Sequence, residues 1–394
     1  MKPLCVMLVA AEASGDALGA GLAKALRARL GESGVRFVGV GGSRMRAEGI
    51  ESPFDISELS ILGWLDGLRA YPRVVRKVRE TLQLALQERP DVVVLIDSWG
   101  FTLRVAQAVR AALPEVALIK YVGPQVWASR PGRARTLAKS VDHLMALHAF
   151  DPPWFEGEGL ETTFVGNPAL ATDFSEASGS KFRQTLGALP EDDVLLVLPG
   201  SRPKEIARLT PVFQAAVDIV RMARPRVKVA FVVADTVAQM LKDRLAGWST
   251  PVHLIEGEPA KSDAMRGATL ALACSGTVST ELALAGCPMV IAYRIDNLTY
   301  AVGRRLMTTP YVTLMNIAAG REVVPEFLQG DCTAPNLAEA LIERLENSEL
   351  RRAQVGEQSD ALAKMGVHAG NPADNAAQAI LGVLERRGRS LGGH

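Results

Sequence analysis

What this chain has little of narrows it first. Aromatic residues are only 5% of its 394, so Leu, Val, Ile and Ala must fill the core of a composition that is 48% hydrophobic. Neither sign of charge dominates: 44 basic residues against 43 acidic ones leave a formal +1. A nucleic-acid binder carries a clear basic excess, so nucleic acid is not expected as a partner and any anion site must be local. The four cysteines, Cys5, Cys274, Cys287 and Cys332, form no C-x-x-C pair, and the nearest two of the five histidines, His143 and His148, miss H-x-x-x-H spacing. That pattern fits reduced, packed thiols of a cytosolic protein; a disulfide framework and a protein-held metal are not expected. No apolar run reaches the roughly eighteen residues of a membrane helix, so nothing is expected to span a bilayer. The apolar start runs directly into Glu12 and Asp16 with no cleavage pattern and reads as a first buried strand. A G-x-x-x-x-G-K-[ST] loop is also missing. The first strand ends in Ala11-Glu-Ala-Ser-Gly-Asp16, acidic where the G-x-G-x-x-G of an NAD enzyme would hold pyrophosphate.

What is present is a rhythm of short apolar runs and helical patterns. The first half reads as strands at Leu4–Ala10, Arg36–Val40, Val92–Ile96, Ala117–Tyr121, Leu144–Leu147 and Thr163–Val165, with helices between them. A second series starts at Val194–Leu198 and continues through Val227–Val233, His253–Ile255, Thr269–Ala273 and Met289–Ala292. Continuous apolar strands alternating with helices indicate parallel, doubly wound α/β sheets. The length suits two domains. The turn-rich stretch 166–193 separates them, and three helical patterns over 336–386 close the chain. Two such domains predict a cleft between the carboxyl ends of their strands, which directs attention to the residues after each strand.

Leu198-Pro-Gly-Ser-Arg202 follows a strand and opens a helix: Gly200 admits close approach, the amides near Ser201 suit phosphate oxygens, and Arg202 offers a fork of donors. An ordinary β–α turn would read the same. A second turn, Ser275-Gly276-Thr277 with Glu281 four residues on, repeats the pattern; Glu281 suits ribose hydroxyls, or is simply an acid favoured by the helix dipole. In the first half Glu12 and Asp16 flank a Ser14-Gly15 turn, and Asp97 ends the apolar run Val92–Ile96, either as a partly desolvated base or as a helix cap. Tyr121–Arg130 places Trp127 and Arg130 after another strand, where the tryptophan lines a site or is core. Residues 61–71, with Leu62, Trp64 and Leu65, precede Arg73, Arg76, Lys77 and Arg79; the segment suits an anionic membrane surface or an ordinary core-facing helix.

In order, these elements resemble the lipid-A-disaccharide synthase family over nearly the whole chain. The landmarks are Ala11–Asp16, Phe37–Gly42 with Arg44-Met45, Asp97, Tyr121–Arg130, Phe164–Gly166, Leu198–Glu205, Ser275–Glu281 and Asn316–Arg321. The resemblance implies a GT-B fold, two Rossmann-like parallel-sheet domains facing a central cleft. An acceptor domain over 1–170 would carry a membrane-facing segment at 61–79; a nucleotide-sugar domain would span 171–370, and a helix and tail at 371–394 would pack back on the first. It further implies transfer from UDP-2,3-diacylglucosamine to 2,3-diacylglucosamine 1-phosphate (lipid X), with inversion, by an enzyme peripheral to the inner face of the cytoplasmic membrane. No metal or other cofactor is implied; a homodimer is. Asp97 becomes the first candidate base, with Glu12 and Asp16 as rivals or positioning groups. Gly200, Ser201, Arg202, Ser275, Gly276 and Thr277 would hold the diphosphate, Glu281 the ribose, and Asn316 and Arg321 would complete the donor site, from a partner subunit. Ser14, Gly15, Trp127 and Arg130 would face the acceptor, and Leu62, Trp64 and Leu65 the lipid. The sequence departs from the family pattern at Gly123, Ser129, 148–154 and Asn167, where a histidine is usual. The alternatives are another GT-B enzyme on UDP-N-acetylglucosamine (an epimerase or a lipid-II-type transferase) and a non-catalytic relative.

Overall fold

The computed structural model describes residues 2–59 and 64–389. The chain divides into two compact units, Met1–Asn167 with Ala369–His394, and Pro168–His368. The first contains strands β1 (Leu4–Ala10), β2 (Val35–Val40), β3 (Val92–Ile96), β4 (Ala117–Tyr121), β5 (His143–Ala146) and β6 (Thr162–Phe164). They form one all-parallel sheet in the order β2-β1-β3-β4-β5-β6. Strands β1, β3 and β4 are buried along their whole length; β1 and β3 are accordingly written as unbroken apolar runs, whereas β4 carries Lys120 within its buried run.

Each face of this sheet buries against its own helices. On one, Met7, Val9, Val93, Leu95 and Leu118 meet Val74 and Val78 of the helix Trp64–Glu88 and Val105 and Val109 of the helix Trp99–Ala112. On the other, Val6, Leu8, Val94 and Ile119 meet Leu22 and Leu26 of the helix Ala13–Leu30 and Ile380 and Leu384 of the helix Pro372–Arg386. The chain's last helix is thus part of the first unit's core. Asn371 caps its start by accepting from the amides of Ala373 (2.9 Å) and Asp374 (3.4 Å), and Asn375 donates to the carbonyl of Val165 at 3.1 Å.

The second unit contains β7 (Val194–Leu198), β8 (Lys228–Val233), β9 (His253–Glu256), β10 (Leu270–Cys274), β11 (Met289–Tyr293) and β12 (Glu326–Leu328), again all parallel, in the order β12-β11-β10-β7-β8-β9. The α/β reading holds in both units, and the eleven strands expected from the sequence lie in the two sheets beside one further short edge strand, β12. The sequence does not mark β12, because its three residues are half-buried and too few to show a period. All four cysteines are free and buried.

Ile380 is fully buried between the last helix and the sheet. Ile380→Ala is expected to lower the first unit's stability by about 2–5 kcal/mol, measured as an earlier denaturant transition with unchanged UDP binding.

Candidate active site

In a doubly wound sheet the chain leaves the first strand in one direction and later returns on its other side. Where the order reverses, two neighbouring strands send their connections to opposite faces, and a crevice opens at their carboxyl ends. The reversal in the second unit lies between β7 and β10, paired from Leu270↔Leu195 to Ala273↔Leu198. A cavity of about 590 Å³ sits there, and Gly200, Ser201, Arg202, Ser275, Gly276, Thr277 and Glu281 all line it. Two turns more than seventy residues apart therefore share one site.

The β7 turn is shaped by Glu205, which the sequence reading did not single out. Gly200 has φ +117°, and a Cβ there would come within 2.7 Å of the Glu205 Cβ. The Glu205 carboxylate accepts from the amides of Ser201 (3.0 Å) and Arg202 (3.2 Å) and from the Arg202 guanidinium (3.0 Å). This is one half of a capping box on the helix Pro203–Ala223: the N3 glutamate reaches back to the N-cap amide, while the Arg202 guanidinium, which has no acceptor, pairs with it instead of capping. The groups assigned to a diphosphate are thus already organised around a carboxylate. Arg202 remains 76% exposed, so its unused donors face solvent. At the β10 turn the helix Thr277–Leu284 presents first-turn amides with no intrahelical partner, and Gly276 and Thr277 are exposed. Ser279 donates to the carbonyl of Gly276 at 2.7 Å and firms the turn.

Lys261, a second residue missed, stands opposite. Its ammonium lies 2.8 Å from Glu281 and 3.2 Å from Glu258. Burial works to lower the Lys261 pKa, but the bonds and charges of Glu281 and Glu258 outweigh it and hold the ammonium above its ordinary range. Glu281 is therefore held in place within the cavity lining by its ion pair with Lys261.

Asn316 and Arg321 stand elsewhere. Asn316 is fully buried, donating to Val324 O and Glu326 (both 2.8 Å) and accepting from the amides of Val323 (2.7 Å) and Val324 (2.9 Å). Its side chain ties the helix Leu314–Ala319 to β12. Arg321 is exposed and ion-paired to Glu357 at 3.0 Å.

The first unit repeats the reversal between β1 and β3, in register from Val6↔Val92 to Ala10↔Ile96. Glu12 follows one strand and Asp97 the other. The two carboxylates feel each other: burial pushes the Glu12 carboxyl above its ordinary value, and the charge of Asp97 adds to this. Ser14 Oγ lies 3.5 Å from Asp97 Oδ2. Asp97 and Ser98 both adopt left-handed backbone, φ +49° and +42°, rare for two successive non-glycine residues. Gly15 packs instead of binding, since a Cβ would meet Ala10 Cβ at 3.3 Å. Asp16 is buried, and its carboxylate accepts from the amides of Gly42 (2.7 Å), Arg44 (2.9 Å) and Met45 (3.0 Å). With those lone pairs engaged it braces the turn after β2; it is a strut beside the acid pair.

After β4, β5 and β6 comes an aromatic cluster. Trp127 is buried, donates from Nε1 to Asp151 at 2.8 Å, and meets His148 and Phe150 edge-on, at 6.1 and 5.4 Å between centroids. His148 Nδ1 lies 3.3 Å from Asp151 and Nε2 lies 3.4 Å from Asn167 Nδ2. Asn167 departs from the family pattern, yet an imidazole reaches it from the β5 turn. Arg130 is exposed at φ +51°. Trp64 and Leu65 begin the helix Trp64–Glu88, and Leu62 lies outside the described residues.

Two parallel-sheet units of this kind define the GT-B fold class of glycosyltransferases and UDP-sugar epimerases. Among solved structures, the UDP-GlcNAc 2-epimerase of Neisseria meningitidis bound to UDP-GlcNAc superposes with a TM-score of 0.57 over 98% of this chain and 100% of that one, at 13% identity. Within that class, residues 6–380 match the family described as Lipid-A-disaccharide synthetase. The chain is 41% identical over 387 residues to the lipid-A-disaccharide synthase of Rhodospirillum centenum, covering 98% of this chain and 96% of the relative. It is 38% identical over 385 residues to that of Paramagnetospirillum magneticum, at 97% and 98% coverage. The chain belongs to the lipid-A-disaccharide synthase family and is a glycosyltransferase.

Arg202→Ala removes a charged donor from the cavity and is expected to weaken UDP binding about 10- to 100-fold, read by calorimetry; unchanged affinity would take Arg202 out of the donor site.

Proposed function

We propose that this enzyme condenses UDP-2,3-diacylglucosamine with 2,3-diacylglucosamine 1-phosphate to give the β-1′,6 disaccharide 1-phosphate and UDP, with inversion. The observation that carries the reading is the shared cavity of the β7 and β10 turns, in a chain of this family. The acceptor 6-hydroxyl oxygen attacks the anomeric carbon, its proton passes to Asp97, and the bond to the β-phosphate oxygen breaks with its electron pair leaving on UDP. General base catalysis supplies the first part. Arg202 and the first-turn amides at Ser275–Thr277 stabilise the charge growing on the leaving diphosphate, and Glu281, held by Lys261, takes the ribose.

The family match weighs against an epimerase of free UDP-N-acetylglucosamine and against a non-catalytic carrier. Incubation with both acylated substrates should yield the disaccharide by mass analysis. Asp97→Asn should lower kcat about 10²- to 10⁴-fold with UDP binding retained. Protein that binds both substrates and forms no disaccharide, or that turns over UDP-N-acetylglucosamine alone, would overturn the assignment.

For location we propose attachment to the inner face of the cytoplasmic membrane through 61–79. No helix among the described residues is long and apolar enough to cross a membrane. Arg73, Arg76 and Arg79 are exposed and Tyr71 is 54% exposed, as an interfacial helix would have them. Lys77, expected among these cations, is buried instead, 3.1 Å from Glu80 and over the Phe54 ring. Replacing Leu62, Trp64 and Leu65 by serine should release the enzyme from anionic liposomes; retained binding points to another surface. Arg321, outside the cavity lining, would serve a donor site only on a second copy, which is the support for a homodimer.

A further inference from the structure

β4 is an interior strand, flanked by β3 and β5 and buried at all five positions. Its side chains alternate between faces. Ala117, Ile119 and Tyr121 join the core beneath the last helix, and Leu118 joins the opposite core. The next place on Leu118's face is filled by Lys120, in register with Leu95 and Leu144 and only 3% exposed. A lysine among these residues faces a large desolvation cost unless its ammonium is used.

Lys120 Nζ donates to the carbonyl oxygen of Asp97 and, at 2.8 Å, to Thr102 Oγ1. Thr102 is fully buried and itself donates to the Asp97 carbonyl at 2.7 Å. Both of these hydrogen bonds of Lys120 go to uncharged oxygens. The ammonium therefore grips the backbone of the left-handed Asp97–Ser98 turn from below, while the Asp97 carboxylate projects from the same residue toward Glu12. Burial drives the Lys120 pKa from 10.5 down to about 7, and the Asp97 charge acts to raise it again. The other groups against it, Leu95, Leu144 and Thr102, do not titrate.

We infer that Lys120 is the positioning residue of the candidate base: it pins the strained Asp97 turn through its carbonyl and places a buried positive charge beneath the Glu12–Asp97 pair. The inference rests on reading Asp97 as the base. The ammonium and the Asp97 charge act on each other, and a cation placed near a carboxylate favours its ionised form. The turn, in turn, is held at dihedrals that its two side chains disfavour.

The test is Lys120→Met, which replaces the ammonium by an apolar group of similar volume. Folding is expected to survive. The unfolded chain binds the Lys120 proton up to about pH 10.5 and the native chain only to about 7, so native stability rises with pH across that window. Below pH 7, where the buried charge opposes folding most, the variant should be no less stable than the parent. Expected in activity are a kcat lower by roughly 10- to 100-fold, a KM for the UDP-sugar within about twofold, and an acid limb of the kcat profile displaced upward by about one pH unit. Lys120→Gln, also uncharged, should shift the limb the same way and serves if the methionine variant does not fold. Either folded variant with parental kcat and a parental acid limb overturns the inference. Asp97→Asn runs in parallel: if it is inactive while the Lys120 variants behave as the parent, only the Lys120 role fails. If Asp97→Asn keeps parental turnover, the base reading fails and this inference with it.

Discussion

Everything specific about this enzyme depends on a constraint of parallel sheets, the reversal of strand order. A helix-covered sheet buries both faces and leaves polar groups only at strand ends. At the reversal the connections diverge, and two adjacent carboxyl ends stay open. Both units place their informative residues there: Glu12 and Asp97 beyond β1 and β3, and the Gly200–Arg202 and Ser275–Thr277 turns beyond β7 and β10. The chemistry of each pair follows from what each strand end carries, acids in one unit and amides with a guanidinium in the other.

The groups behind these turns matter as much as those in front. Glu205 organises the Ser201–Arg202 amides, Lys261 fixes Glu281, Asp16 braces the turn after β2, and Lys120 and Thr102 hold the carbonyl of Asp97. Each supporting group is more buried than the one it holds, or tied by several bonds, so the exposed partner has one favoured position. In the cavity at the β7–β10 reversal this bears on the proposed ligand. Glu205 occupies the amides and the guanidinium that a diphosphate would also take, so an incoming phosphate must compete with a carboxylate already in place.

Much of the fold was legible in the sequence, since a strand buried on both faces is an unbroken apolar run, and Leu4–Ala10 and Val92–Ile96 show it without ambiguity. Strand order was not legible, because it is decided by contacts distant in sequence; only the structure shows β10 returning beside β7. The return of the helix Pro372–Arg386 to the first sheet is also a long-range contact, expected only from the family resemblance. The donor turns were legible because glycine and a helix start are local signals. Glu205 was legible in principle, as an acid in the first turn of a helix. Asn316 was picked out from a motif and proves to be a buried tie to β12. Lys120 stood in plain view within Ala117–Tyr121 but reads as a strand residue until its neighbours are known.

The central claim is that the two turns at the β7–β10 reversal grip the diphosphate of a UDP-sugar. A structure of the enzyme with UDP bound tests it directly. The account predicts phosphate oxygens within hydrogen-bond distance of the Ser275–Thr277 turn and of Arg202, with the Arg202–Glu205 pair opened or rearranged. UDP seated elsewhere, with that pair intact and the cavity at the reversal empty, would contradict it.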